Sequence, residues 1–184
     1  MNQTERFISE MLLGFVACLL LIVAMHRVAN AAECVEPTTA CAALLADIDA
    51  TCERSPQLCR LNPDRYAAIE NCNRIDKAAR IERAPILLSL VTAYRESGLD
   101  PFLVSSVGAR GMMQVIPRYW CPADTSCDLD RAGARALAQL VERHGMTGGV
   151  AFYRGGYRAL RSDDGLEGAQ GRVDAAKRVK RGLM

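Results

Sequence analysis

"YRESGLDPFLVSSVGARGMMQVIP", residues 94–117, places a Glu-Ser pair where a helix has to stop. Pro85 suits a first helical position, and Ile86, Leu87, Leu90, Val91 and Tyr94 recur at helical spacing, which predicts a helix over 85–97. Gly98 is placed to take the left-handed conformation after the last turn, and Pro101 follows. Glu96 therefore stands in the final turn. Its one-turn neighbours Thr92 and Ala93, with Ser89 a turn further back, are small and adjoin the apolar stripe. Most glutamates are simply solvated. A carboxyl at the margin of a core is partly desolvated, however, and desolvation keeps a carboxyl protonated near neutral pH, as a general acid requires.

Working outward, the pattern predicts a mainly α fold. Downstream, a helix is expected from about Ala109 to Val115, ending before Pro117, another over 129–144 stopped by Gly145, and a short one over 147–153. After Gly155-Gly156 the chain turns polar and basic, and "RVDAAKRVKRGLM", residues 172–184, reads as an exposed helix or a frayed tail. Lys177, Arg178, Lys180 and Arg181 on it suit a solvated end or attraction to an anionic surface. Upstream, residues 38–53 carry Leu44, Leu45 and Ile48 at helical spacing behind Thr38 or Thr39 as N-cap. "RSPQLCRLNP" breaks the pattern, and residues 64–81 resume it with Tyr66, Ile69, Ile75 and Ile81. This is a helical hairpin. Cys52 and Cys59 flank the break, and Cys41 and Cys72 come level if the helices run antiparallel, which favours Cys52–Cys59 and Cys41–Cys72 without fixing the connectivity. Cys34 is left over, free or available to a second chain.

Composition excludes several classes. A net charge of +2 from 23 basic and 21 acidic residues offers no clustered positive surface for nucleic acid. The chain has eight cysteines, a density that suits an oxidising compartment. There is no CxxC pair, and His144 is the sole histidine beyond Arg27, so neither a zinc site nor another cofactor is expected. "MLLGFVACLLLIVAM", residues 11–25, is uncharged and shorter than the roughly 20 residues of a comfortable membrane span, and Ala29-Asn30-Ala31 after it has the form of a cleavage site. Glu5 and Glu10 dilute the positive charge before it. Two readings stay open for residues 1–31, a removable signal peptide and an uncleaved membrane anchor. Either way the remainder is expected to be exported, periplasmic or tethered to the inner membrane facing the periplasm, or carried in a virion.

The order and spacing of Glu96-Ser97, Pro101, Ser105 with Gly108-Ala109, Gly111-Met112-Met113-Gln114 and Pro117 resemble the core of the soluble lytic transglycosylase catalytic domain, whose fold is similar to that of goose-type lysozyme. A later stretch, residues 128–156, resembles the family more weakly. Gly133 matches a glycine inside a helix, and Phe152-Tyr153-Arg154-Gly155-Gly156 stands for a family Ala-Tyr-Asn-x-Gly, with Phe152 and Arg154 departing from it. For the family's final Tyr-bearing segment the only candidate is 167–173, which lacks the aromatic.

The resemblance implies a lysozyme-like helical domain over about 81–160, preceded by the disulfide-rich hairpin of 32–80 as a scaffold or docking module and followed by a basic tail over 161–184. It implies peptidoglycan as substrate and Glu96 as catalytic residue, acid first and base afterwards. Ser105 and Gln114 would contact the sugars or orient Glu96, Tyr153 would hydrogen-bond near the acid, and Gly111 would let the backbone approach the glycan. Ser97 would contact substrate or support Glu96. Met112 and Met113 read as core, and Trp120 as a loop anchor or a stacking platform for a sugar ring. Cys121 and Cys127 bracket "PADTS" and would staple a loop at the cleft edge. Asp124, Asp128 and Asp130 are the acids available to a hydrolytic muramidase on the same fold; a non-catalytic glycan-binding assembly component is the other alternative. Partners would be glycan strands and a secretion, conjugation or phage assembly, with no nucleic acid and with membrane only through an uncleaved N-terminal segment.

Overall fold

Thr38 opens the first described helix in the computed structural model, which describes residues 35–59, 64–122 and 126–184. The expected signal or anchor at 1–31, together with Cys18, Cys34 and Asp124, lies outside the described residues. The Thr38 hydroxyl accepts the Cys41 amide hydrogen at 3.3 Å and starts α1, Thr39–Arg54. Its Cys41, Leu44, Leu45 and Ile48 are buried on one face. A single 3₁₀ turn, Pro56–Leu58, ends it. Asp64 caps α2, Arg65–Ile81, by accepting from the amides of Tyr66 and Ala67. The two helices run antiparallel. Near the start of α1 the Thr38 amide donates to Asn73 Oδ1 at 2.9 Å and Cys41 is bonded to Cys72, while near its end Asp49 pairs with Arg65 at 2.8 Å. Cys52–Cys59 closes the turn.

This hairpin is not a separate module. Residues 36–184 form one compact unit, and Cys41, Leu45, Cys72 and Ile75 belong to the same core as Leu88, Leu137 and Val173. The expected boundary near residue 81 therefore cuts through continuous packing. α3, Ile86–Ser97, is the centre of it: Leu88, Ser89, Leu90, Val91, Thr92 and Ala93 are all buried, whereas a one-sided stripe was expected. α3 packs on α1 and α2 and on the last helix of the chain, so no broad face is left for water. It ends as predicted, with Gly98 at φ 68° and its amide donating to the Tyr94 carbonyl at 2.8 Å.

The helix expected over Ala109–Val115 is absent. Gly108 and Gly111 have φ of 82° and 73°, and Gln114 also has positive φ, at 50°. Three left-handed residues within seven positions are incompatible with a right-handed helix. The segment instead folds on itself, with Arg110 and Val115 exchanging backbone hydrogen bonds of 2.8 and 2.9 Å and the Gly111 amide donating to the Leu103 carbonyl. A short helix, α4, Pro117–Trp120, follows, and Cys121–Cys127 staples the loop after it.

α5, Leu129–Leu160, is broken by non-helical backbone at Gly145 and again at Gly155 and Gly156. The predicted stop at Gly145 is thus a bend rather than an end. α6, Asp163–Arg181, corrects the expectation of a basic tail. Ala169, Val173, Ala176 and Val179 fall on one face and are buried, while Lys177, Arg178, Lys180 and Arg181 lie on the exposed face. The charges that suggested a frayed end are the solvent side of an amphipathic helix. α2 and α6 each pack on both α3 and α5. Among the described residues no helix is long and apolar enough to cross a membrane.

Glu82, which caps the end of α2, ties this frame to α5 by accepting from Arg131 at 2.8 Å and Arg135 at 3.0 Å. The Arg135 hydrogen bond, with help from Arg131, holds its carboxyl below the usual 4.5 against the opposing effect of burial. A depressed folded value contributes stability that is complete above the unfolded value and lost as pH falls through the folded one. Between about pH 6 and pH 3 the native chain should therefore lose more melting temperature than Glu82→Gln does. Parallel melting-temperature curves for the two proteins over that interval would contradict this.

Candidate active site

Glu96 sits one residue before the end of α3, so its side chain leaves the helix where the left-handed Gly98 turns the backbone away. It opens into a cleft of about 410 Å³ between α3, the 104–120 segment and the second part of α5. Ser105, Gln114, Tyr153 and Arg154 line the same cleft. One wall is aromatic: Tyr119, exposed and covered on one face by Arg118 at 4.7 Å, lies beside the half-buried Trp120. Trp120 packs against the core, as a loop anchor would, and also lines the cleft. Across from it Phe152 is wedged between His144, stacked at 5.3 Å, and the edge of Tyr157 at 4.8 Å.

The other expected site residues divide by position. The Ser97 hydroxyl donates to the Ala93 and Met112 carbonyls and accepts the Asp100 amide hydrogen, which fastens the end of α3 to the "GMMQ" segment. It supports Glu96 and does not line the cleft. Gly111 is turned away as well, into a separate hollow of about 460 Å³ bordered by Arg74, Lys77, Pro101 and Leu129. Its positive φ serves the turn, not close approach to the cleft. Ser105 spends its hydroxyl on the Ala109 amide, and Gln114 donates to the Leu103 and Gly111 carbonyls at 3.1 and 3.0 Å. Both shape the cleft floor. Of the three candidate second carboxylates, the two among the described residues are engaged elsewhere: Asp128 caps α5, and Asp130 pairs with Arg74 at 2.8 Å while burial raises its pKa. Among the described residues lining the cleft, Glu96 is the only carboxylate.

Tyr153 approaches from α5 and donates its hydroxyl to the Met113 carbonyl at 2.7 Å rather than to the acid. Burial, and next the charge of Glu96, push its pKa well above the usual phenol range, against an opposing effect of Arg172, so it remains a donor. Gly133 makes this contact feasible. A Cβ there would stand 2.7 Å from Met113 Cβ, 2.9 Å from its sulfur and 3.1 Å from the Tyr153 oxygen. Gly133→Ala should cost about 1–3 kcal/mol through overpacking and lower the melting temperature by several degrees. Activity assayed well below that temperature should also fall, because Tyr153 borders Glu96; an unchanged melting curve would refute the close approach.

The residue that sequence reading missed is Arg172. From α6 its Nη1 donates to Glu96 Oε1 at 2.7 Å, and both side chains are largely buried. A signal was available, since Arg172 falls on the face of α6 defined by Ala169, Val173 and Ala176.

Part of this site falls within a known family pattern. Residues 73–145 match the family model of the transglycosylase SLT domain. Over that stretch the chain is similar to a lytic transglycosylase domain, a family of lysozyme-like helical fold. The matched stretch of this transglycosylase domain starts within α2 and ends at the Gly145 bend, so it contains Glu96, Ser105 and Gln114 but stops short of Tyr153, Arg154 and Arg172. Neither the curated proteins nor the solved structures contain a significant match to the chain. A transglycosylase domain of this kind acts on peptidoglycan.

Proposed function

We propose that the chain cleaves the β-1,4 bond between N-acetylmuramic acid and N-acetylglucosamine, with Glu96 as the only acid and base. Protonated Glu96 gives its proton to the glycosidic oxygen as that bond breaks, and positive charge develops at the muramoyl anomeric carbon. The resulting carboxylate takes the proton of the muramoyl 6-hydroxyl, whose oxygen closes on the same carbon. Glu96 regains its proton, no water is consumed, and a 1,6-anhydromuramoyl end results. Glu96 as the one carboxylate among the described residues lining the cleft carries this reading, because a paired-carboxylate hydrolase places its second acid across the scissile bond.

Tyr119 and Trp120 offer flat apolar faces to the sugar rings, and Ser105 and Gln114 support the backbone beneath them. The apolar run at 11–25 and the three disulfides favour export to the periplasm, in a free or tethered form, or carriage in a virion. The reading extends to local opening of the wall for a secretion, conjugation or phage assembly. The decisive measurement is mass analysis of glycan ends from digested sacculi. Anhydro ends are one water lighter than reducing ends; a digest yielding only reducing ends would assign the site to a hydrolytic muramidase.

A further inference from the structure

Arg172 is an unusual neighbour for a general acid. It stands 76 positions from Glu96 in sequence, its side chain is about one tenth exposed, and Glu96 is its single ion-pair partner among the described residues. Burial pulls the Arg172 guanidinium below its usual pKa, the Glu96 carboxylate restores it, and the cations of Arg154 and Arg95 oppose it. Arg154 itself lies against Gly168 of α6, where any side chain would displace it. The charged and titratable groups around the pair are Tyr153 from α5, which feels the Glu96 charge, and Arg154 from α5 and Arg95 from α3, which act on Arg172.

The two jobs of Glu96 need opposite protonation states. The Arg172 pair is complete when Glu96 is ionised, whereas protonated Glu96 leaves a buried guanidinium without its counter-charge. A hydrogen bond at 2.7 Å also fixes the carboxylate in one orientation. We propose that Arg172 is the positioning residue of Glu96, its hydrogen bond fixing the orientation in which the carboxylate takes the 6-hydroxyl proton. This rests on Glu96 being the catalytic group. Arg172 acts in the second half of the reaction, when Glu96 is again a carboxylate.

The test is turnover on purified sacculi for native chain, Arg172→Gln and Arg172→Lys, with kcat and KM resolved on a soluble glycan. For Arg172→Gln kcat should fall about tenfold through lost orientation, while KM stays within about twofold of native. Arg172→Lys keeps a charged donor, so its kcat should be partly recovered. A native kcat in a folded Arg172→Gln protein, or no recovery in a folded Arg172→Lys protein, would overturn the proposal. Should that variant fail to fold, NMR titration of the native full-length chain decides: the Arg172 side-chain N–H resonance should shift in step with the Glu96 carboxyl carbon, and a flat Arg172 trace sinks the idea. If Glu96→Gln stays active while the two resonances still titrate together, the catalytic assignment fails and the pairing survives.

Discussion

Glu96→Gln should abolish the clearing of purified sacculi, with turnover reduced by about 10²–10⁴-fold, the typical contribution of a positioned acid and base. Gln has nearly the shape of Glu and keeps an oxygen toward Arg172, but it can neither give a proton to the glycosidic oxygen nor take one from the 6-hydroxyl. The reduction should be at the high end, because no other carboxylate lines the cleft to substitute for it among the described residues. The variant also leaves Arg172 buried beside a neutral amide, so it should melt below the native protein, and activity has to be read well beneath that temperature. Clearing at the native rate by folded Glu96→Gln would remove Glu96 from the chemistry. A native protein that binds glycan and clears nothing would favour the non-catalytic reading, in which the Arg172 pair is only structural.

Loss of the Cys41–Cys72 bond should be the largest single stability change. The two cysteines are 31 positions apart and completely buried. On the chain-entropy scale, closing such a loop is worth about 3–4 kcal/mol, or about 10 °C in melting temperature for a chain of this size. Cys52–Cys59 spans only 7 positions, for which the same scale gives about 2 kcal/mol. Cys41→Ala with Cys72→Ala should therefore destabilise more than Cys52→Ala with Cys59→Ala in thermal melts. The difference should grow further because the first pair lies in the core and its removal leaves a void. Equal losses for the two pairs would contradict this ranking. The effect reaches function through α3, which lies on the hairpin and carries Glu96.

Much of the helical framework was legible because its signals are local. Thr38 as a cap, the Gly98 stop, the break at Ser55-Pro56 and the Gly145 bend each follow from the conformational preference of one or two residues. The expected helix at Ala109–Val115 is absent for an equally local reason, since the left-handed backbone of Gly108 and Gly111 forbids one. Gln114 carries positive φ without being glycine, and its side-chain bonds to the Leu103 and Gly111 carbonyls accompany that turn. The last helix was one of two readings of residues 172–184, but its buried face of Ala169, Val173, Ala176 and Val179 is set by packing on other helices.

What the sequence alone determined is the placement of Glu96 and its platform: the fixed distance from Glu96 through Ser105 to Gln114 lies within one short segment, where local turns dictate geometry. The pairing of Cys41 with Cys72 was also within reach, since two antiparallel helices joined by a short turn leave few alternatives. Only the tertiary structure decided that Ser97 and Gly111 stay out of the cleft and that Arg172 reaches Glu96. The Arg172 contact depends on which face of α6 packs on α3, and that choice is made by burial shared among distant helices, a quantity that no local window contains.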